Sequence, residues 1–343
     1  MSYEFKFSHL IPNEQKQYLQ KEAWRFKRIL KFWRRYLYMF FTKQLKLELN
    51  NIPHTSRNIL WINTTAPSLG DSLMDLAGRV LLENFNVDLY TSSKNSILYK
   101  YDLVFKNIFD EMNMNFDKNY DLIIVDSFSP RSMKIKNKYF SQVPFVGMYG
   151  FINGFEIHRT YYSFFRLASL LDVKIDKSIC DLSMAIPNNC AVSDLPDKFI
   201  TIVVGAEWDF RRYKDWDKII EILNSEYSIV LIGSSNGLDE SKNLENFFGV
   251  INYVGKLTLH QTAFVISKSF AQLCADGGLW HFACALRIPS VVLFADCHLY
   301  LGDKHYLRNT EAQKCIALYS DKTVSNIEPS VIIESFYKLK EKL

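Results

Sequence analysis

From Asn58 onward, short apolar runs alternate with amphipathic stretches of helical period, and this alternation constrains the fold more than any other feature. The runs fall at 59–63, 87–92, 121–127 and 144–150, then at 199–205, 227–233, 250–255, 270–276 and 290–296. Helical patterns lie near 71–85, 98–112, 156–172, 214–225, 238–247, 259–268 and 278–287. Runs that are apolar throughout are buried on both faces, as in parallel sheets covered by helices. Strand–helix alternation implies right-handed βαβ units and a doubly wound sheet. The alternation pauses before Asp197, in a polar segment without period. The expected organisation is a basic amphipathic extension (1–56), a Rossmann-like domain (57–177), a linker (178–197), a second Rossmann-like domain (198–328) and a C-terminal helix (329–343). Two such α/β domains facing each other would bind ligand in a cleft at their strand ends.

Composition narrows the class. Of 343 residues, 48% are hydrophobic and 23% charged, the balance of a globular protein with a core. Six cysteines without a C-x-x-C pair (Cys180, Cys190, Cys274, Cys284, Cys297, Cys315) read as buried thiols in a reduced compartment, not as disulfides or a zinc site. The N-terminus lacks a signal-peptide pattern and no apolar run is long enough to span a bilayer, so a cytoplasmic location is expected.

The net charge of +4 is unevenly placed. Residues 14–48 hold ten Lys and Arg against three Glu, a net +7, which leaves −3 for the remainder. This stretch has neither Gly nor Pro and reads as one helix capped by Asn13. Leu19, Ala23, Phe26, Leu30, Trp33, Leu37, Phe40 and Phe41 recur at helical spacing, with Trp24, Tyr36 and Tyr38 among the cations. Such a helix suits the headgroup region of an anionic membrane. Packing of its stripe on the body and nucleic-acid contact are the alternatives. The membrane is the partner expected, with no nucleic acid.

Three motifs carry candidate chemistry. PSLGDSLMDLAG follows the first strand; Gly70 allows close backbone approach, and Asp71 is either an N-cap or a general base. CADGGLWHFACALRIPSVVLFAD joins a strand through Asp276, Gly277 and Gly278 to a helix bearing His281. That is a diphosphate site unless the glycines only form a turn and His281 packs beside Trp280. GAEWDFRRYKDW sets Arg211, Arg212 and Lys214 where a strand ends, to meet an anion or to form a solvated loop. His158 and Arg159 open a helix, and His158 either faces a cleft or caps a neighbour.

Together these motifs resemble glycosyltransferase family nine, which includes the lipopolysaccharide heptosyltransferases. Gly70-Asp71, Lys214-Asp215-Trp216, and the series Asp276, Gly278, His281, Ala283, Ala285 and Pro289 match its pattern, and His158-Arg159 fall at its His/Arg helix start. The resemblance covers about residue 57 to the C-terminus. It implies a GT-B fold and an inverting, metal-independent transfer from a nucleotide-diphosphate sugar, often ADP-heptose, to a lipid-linked glycan such as lipopolysaccharide core. It makes Asp71 the general base, and Asp276, Gly277, Gly278, His281 and Asn236 the donor site. Lys214, Arg211, Arg212, Gly70 and His158 would bind phosphate or acceptor. The enzyme would sit in the cytoplasm, peripheral to the inner membrane. Departures concern donor and acceptor: Gly277 replaces Thr or Ser, Asn63 replaces a basic residue, Ala77-Gly78 stand where the next helix normally has a Pro, and only Asn236, Asp239 or Glu240 stand near a usual ribose-binding Glu. An epimerase on the same architecture and an inactive membrane-bound scaffold are the rival readings.

Overall fold

The structure, a computed structural model, describes residues 5–11, 13–23, 25–116, 119–151, 156–295 and 314–343. Trp24, Asp296 and Cys297 lie outside them. The chain divides into two units, Met1–Asp181 and Leu182–Leu343.

Unit 1 runs α1 (Asn13–Ala23), α2 (Phe26–Phe41), β1 (Asn58–Asn63), α3 (Leu69–Asp75), β2 (Asn86–Thr91), α4 (Ser93–Ser96) and β3 (Phe105–Phe109). It continues with β4 (Leu122–Val125), α5 (Pro130–Tyr139), β5 (Phe145–Gly147) and α6 (Arg159–Leu171). The sheet is parallel, in the order β3-β2-β1-β4-β5. Winding reverses between β1 and β4, so the loops that leave these strands part there. Asp126, buried after β4, ties the two loops by accepting from Thr64 N (2.8 Å), Thr65 N (2.8 Å) and Thr65 Oγ1 (2.7 Å).

Three expectations for this unit are corrected. Residues 98–112 are not a helix; 105–109 form the edge strand β3, held by buried Asp88, which accepts from Asn107 N (3.0 Å) and Nδ2 (2.9 Å). An edge strand leaves part of its length in water, so Lys106 and Asn107 are exposed and the apolar run is interrupted. The basic stretch is not one helix. Extended backbone at Arg25 (φ −61°, ψ 139°) breaks it and starts α2 in its own phase. Asn13 is the first helical residue of α1 and not its cap.

The packing of α2 is inverted relative to an ordinary amphipathic helix. Its inward residues are Met39, in the core with Leu60, Ile123 and Phe145, and Arg35, only 1% exposed, which donates to the Phe151 carbonyl (2.7 Å). The apolar stripe faces out: Phe26 is 74% exposed, Trp33 52% and Phe41 75%, with Leu30, Leu37 and Phe40 also exposed. These six residues fall within an arc of about 100° on the helix surface. Packing of the stripe on the body is therefore excluded within unit 1. The N-terminal segment is nevertheless part of the unit, because Phe7 and Ile11 are buried and Gln44 joins Asn137 and Lys136 on α5.

Unit 2 runs β6 (Phe199–Val203), α7 (Trp216–Leu223), β7 (Ser228–Ile232), α8 (Leu238–Leu244), β8 (Val250–Asn252) and α9 (Leu259–Lys268). Then come β9 (Gln272–Ala275), α10 (Gly278–Ala285), β10 (Ser290–Ala295), β11 (Cys315–Ser320) and α11 (Pro329–Glu341). Its parallel sheet has the order β11-β10-β9-β6-β7-β8, with the winding reversal between β9 and β6. Ile332, Phe336 and Leu339 bury α11 against this core. Cys180, Cys274 and Cys284 are buried, whereas Cys190 and Cys315 are half-buried.

Candidate active site

In unit 1 the reactive groups cluster around α3. Ser68 is its N-cap and accepts from Asp71 N (3.2 Å), while its hydroxyl donates to Asp71 Oδ2 (2.7 Å). Asp71 is therefore not the cap; it occupies the third helical position, and S-x-x-D is a recognisable capping pattern. Asp75 lies one turn on, at i+4, on the same face. Arg159, the first residue of α6, grips Asp75 with both ends of its fork, Nε to Oδ1 (2.9 Å) and Nη2 to Oδ2 (2.6 Å). Its Nη1 donates to Asp71 Oδ1. Tyr149, just past β5, donates to Asp75 Oδ1 (2.6 Å).

The two carboxylates differ in what remains open to them. The Asp75 side chain is 1% exposed and accepts three hydrogen bonds from Arg159 and Tyr149; that of Asp71 is 23% exposed. Burial works against the Arg159 charge, but Asp75, Tyr149 and Asp71 outweigh it and hold its pKa above the ordinary arginine value. Burial, then the Asp75 charge, pushes the Tyr149 phenol well above its usual range. One cation between two carboxylates leaves a negative charge over, and Asp71 is where solvent reaches it. A carboxylate has about four acceptor positions, so Asp71 can still take a proton.

Gly70 is buried inside α3, and His158 is buried at the head of α6, where its Nδ1 accepts from Thr160 N (3.3 Å). His158 thus caps its own helix. Sequence reading missed Ser68, Asp75 and Tyr149. The Asp71/Asp75 spacing was visible in LGDSLMD, whereas nothing local marks Tyr149. The Ala77-Gly78 departure has a packing reason: a Cβ on Gly78 would lie 2.8 Å from the Ser163 carbonyl oxygen of α6.

In unit 2 the loops after β6 and β9 meet at the winding reversal. Arg211 pairs with the Asp276 carboxylate (3.1 Å) and donates to its carbonyl (3.2 Å). Gly277 caps α10 with no side-chain hydrogen bond, and a Cβ on Gly278 would meet nothing within 4 Å. The Gly278 Cα thus borders free space at the positive end of the helix dipole. His281 is half-buried and lies against Trp280 (ring centroids 4.9 Å). Arg212 pairs with Glu240 (2.9 Å), and Asp239 with Lys242 (3.0 Å), so two of the three ribose-side candidates already have cationic partners. The third, Asn236, is exposed and accepts from Ser234 Oγ (2.7 Å). Its loop packs on Gly205 (φ 82°), where a Cβ would sit 2.5 Å from Gly237 Cα. Lys214 is exposed before α7 and stands outside these pairs. Arg211 and Arg212 do not form a plain solvated loop, since both bind carboxylates.

Among the described residues no three of His, Cys, Asp and Glu gather as a metal site, and no helix is long and apolar enough to cross a membrane.

Two parallel α/β units with polar loops at their winding reversals are the plan of a GT-B enzyme. Residues 157–299 match the family model for glycosyltransferase family 9 (heptosyltransferase), the family that the motifs resemble. Solved structures share the fold. A family 9 glycosyl transferase from Veillonella parvula has a TM-score of 0.72 at 14% identity, covering 86% of this chain and 100% of its own. The E. coli ADP-heptose lipopolysaccharide heptosyltransferase II gives 0.64 at 18% identity, covering 83% and 100%. E. coli heptosyltransferase WaaC with ADP gives 0.61 at 14% identity, covering 82% and 99%. No curated protein sequence matches the chain.

Proposed function

We propose that the enzyme transfers a sugar from a nucleoside-diphosphate donor to a glycan hydroxyl with inversion. Heptose from ADP-heptose is the donor we favour, because similar structures are named for it. Lipopolysaccharide core is the proposed acceptor. Asp71 takes the proton from the acceptor hydroxyl as its oxygen bonds to the anomeric carbon, and the bond to the diphosphate breaks with its electron pair leaving on the phosphate oxygen. The α10 amides and His281 receive that charge, with Lys214 as a further cation, in the metal-independent form that the resemblance implies. Arg211 supports this reading by neutralising Asp276, which would otherwise repel a diphosphate.

The observation that carries the proposal is the start of α10, capped by glycine without a side-chain hydrogen bond and open beside Gly278. ADP at a hundredfold excess over its Kd should stabilise the protein by about 2.7 kcal/mol. Gly278→Ala adds a Cβ that meets no atom within 4 Å, so the melting temperature without ligand should not fall while the ADP shift shrinks. An undiminished ADP shift in this variant removes the α10 site.

We also propose that the enzyme works at the cytoplasmic surface of the inner membrane, held by α2. Six large apolar side chains in water, flanked by Lys27, Lys31 and Arg34, are the arrangement of an interfacial helix. Deleting residues 1–50 would remove buried Met39 and Phe7, so point variants make the cleaner test. Trp33→Ser with Leu37→Ser should weaken binding to anionic vesicles by about tenfold per side chain at an unchanged melting temperature. Equal vesicle binding by this variant and the parent excludes the stripe as the contact.

A further inference from the structure

A cavity of about 560 Å³ lies at the winding reversal of unit 1, where β1 and β4 end. Lys31, Arg34 and Arg35 of α2 line it with Thr65, Ser129 and Arg131. Among the described residues, four cations and no carboxylate line the wall. Asp126 is close enough to act on Arg35, but its oxygens serve Thr64, Thr65 and Ser132, and one carboxylate against four cations leaves the region strongly positive. Ser129 is the N-cap of the ten-residue α5, so a positive helix end adds to the side-chain charge. Arg131 donates to the Thr64 carbonyl (3.1 Å), a neutral group that leaves its charge in place. Burial, then crowding by Arg35, Arg28 and Arg34, lowers the Lys31 pKa, and a bound anion would relieve that crowding.

We infer that this cavity is a phosphate-monoester site, built where α2 meets the first sheet and filled at the membrane surface. Three arginine forks and a lysine suit a doubly charged phosphate better than a singly charged diester. The volume leaves room for the glycerol or sugar that carries it. Lys31 and Arg34 share α2 with the exposed stripe, so insertion of the stripe sets the cavity at headgroup depth. The inference rests on the membrane reading above and adds the chemistry of the group recognised there. A bilayer lipid and a soluble phosphate ester both supply that chemistry.

The test uses the full chain and Lys31→Gln with Arg34→Gln, two exposed positions whose loss spares the core. Vesicles of phosphatidylcholine with phosphatidic acid or with phosphatidylglycerol, matched in surface potential, form one arm. Inorganic phosphate against chloride at equal ionic strength, read by melting temperature, forms the other. The parent should prefer phosphatidic acid by about tenfold, the worth of one charge-assisted hydrogen bond, and the variant should show no preference. A phosphate-specific melting shift, lost in the variant, without a headgroup preference assigns the site to soluble esters. Absence of both effects in the parent, or their persistence in the variant and in Arg131→Gln, overturns the site. The ADP shift is read in parallel: a failed cavity with an intact ADP response leaves glycosyl transfer standing, and the reverse result sinks transfer alone.

Discussion

Asp71→Asn should lower the transfer rate by about 10²–10⁴-fold, the usual worth of a positioned general base, and leave the expected ADP-induced stabilisation unchanged if the proposed role holds. The amide keeps the shape of the carboxylate. Its oxygen still accepts from Arg159 Nη1, and its NH₂ can donate to Ser68 Oγ where the hydroxyl donates now. What disappears is the capacity to take a proton from the acceptor. ADP binding tests unit 2, which holds none of the α3 residues, so the two readouts separate chemistry from donor affinity. A turnover number equal to that of the parent removes Asp71 as the base.

Arg159→Met destabilises the protein by about 3–5 kcal/mol, because it strands a buried carboxylate. Asp75 then keeps only Tyr149 as a partner, and a phenol held protonated cannot neutralise it. Arg159→Lys recovers part of the loss, since an ammonium lacks the planar fork that reaches both carboxylates. Adding Asp75→Asn to Arg159→Met should also restore stability, whereas the same change in the parent should not raise it. Denaturant midpoints within error of the parent for Arg159→Met would show that the network holds no buried charge.

Much of the fold was legible because local periodicity survives packing when both sheet faces are covered. All nine expected runs contain strands, most of them buried on both faces. Of the four edge strands, β5 and β8 were expected and β3 and β11 were missed; in β3 the exposed Lys106 and Asn107 interrupt the apolar run. The site was legible where its chemistry is local, in Gly70-Asp71 and in Asp276 to His281. The Asp75–Arg159–Tyr149 network was not, because it joins residues 74 and 84 positions apart through a parallel sheet.

The sequence alone determined where the covered strands run, where the glycine turns fall and that the basic charge gathers before residue 50, all set by neighbours within a few positions. Tertiary structure decided which way those elements turn. Arg35 goes inward because the Phe151 carbonyl and Asp126 receive its charge, and Met39 follows one turn later into the core. The stripe of α2 is left in water as a result, since a helix cannot point two opposite faces at one sheet.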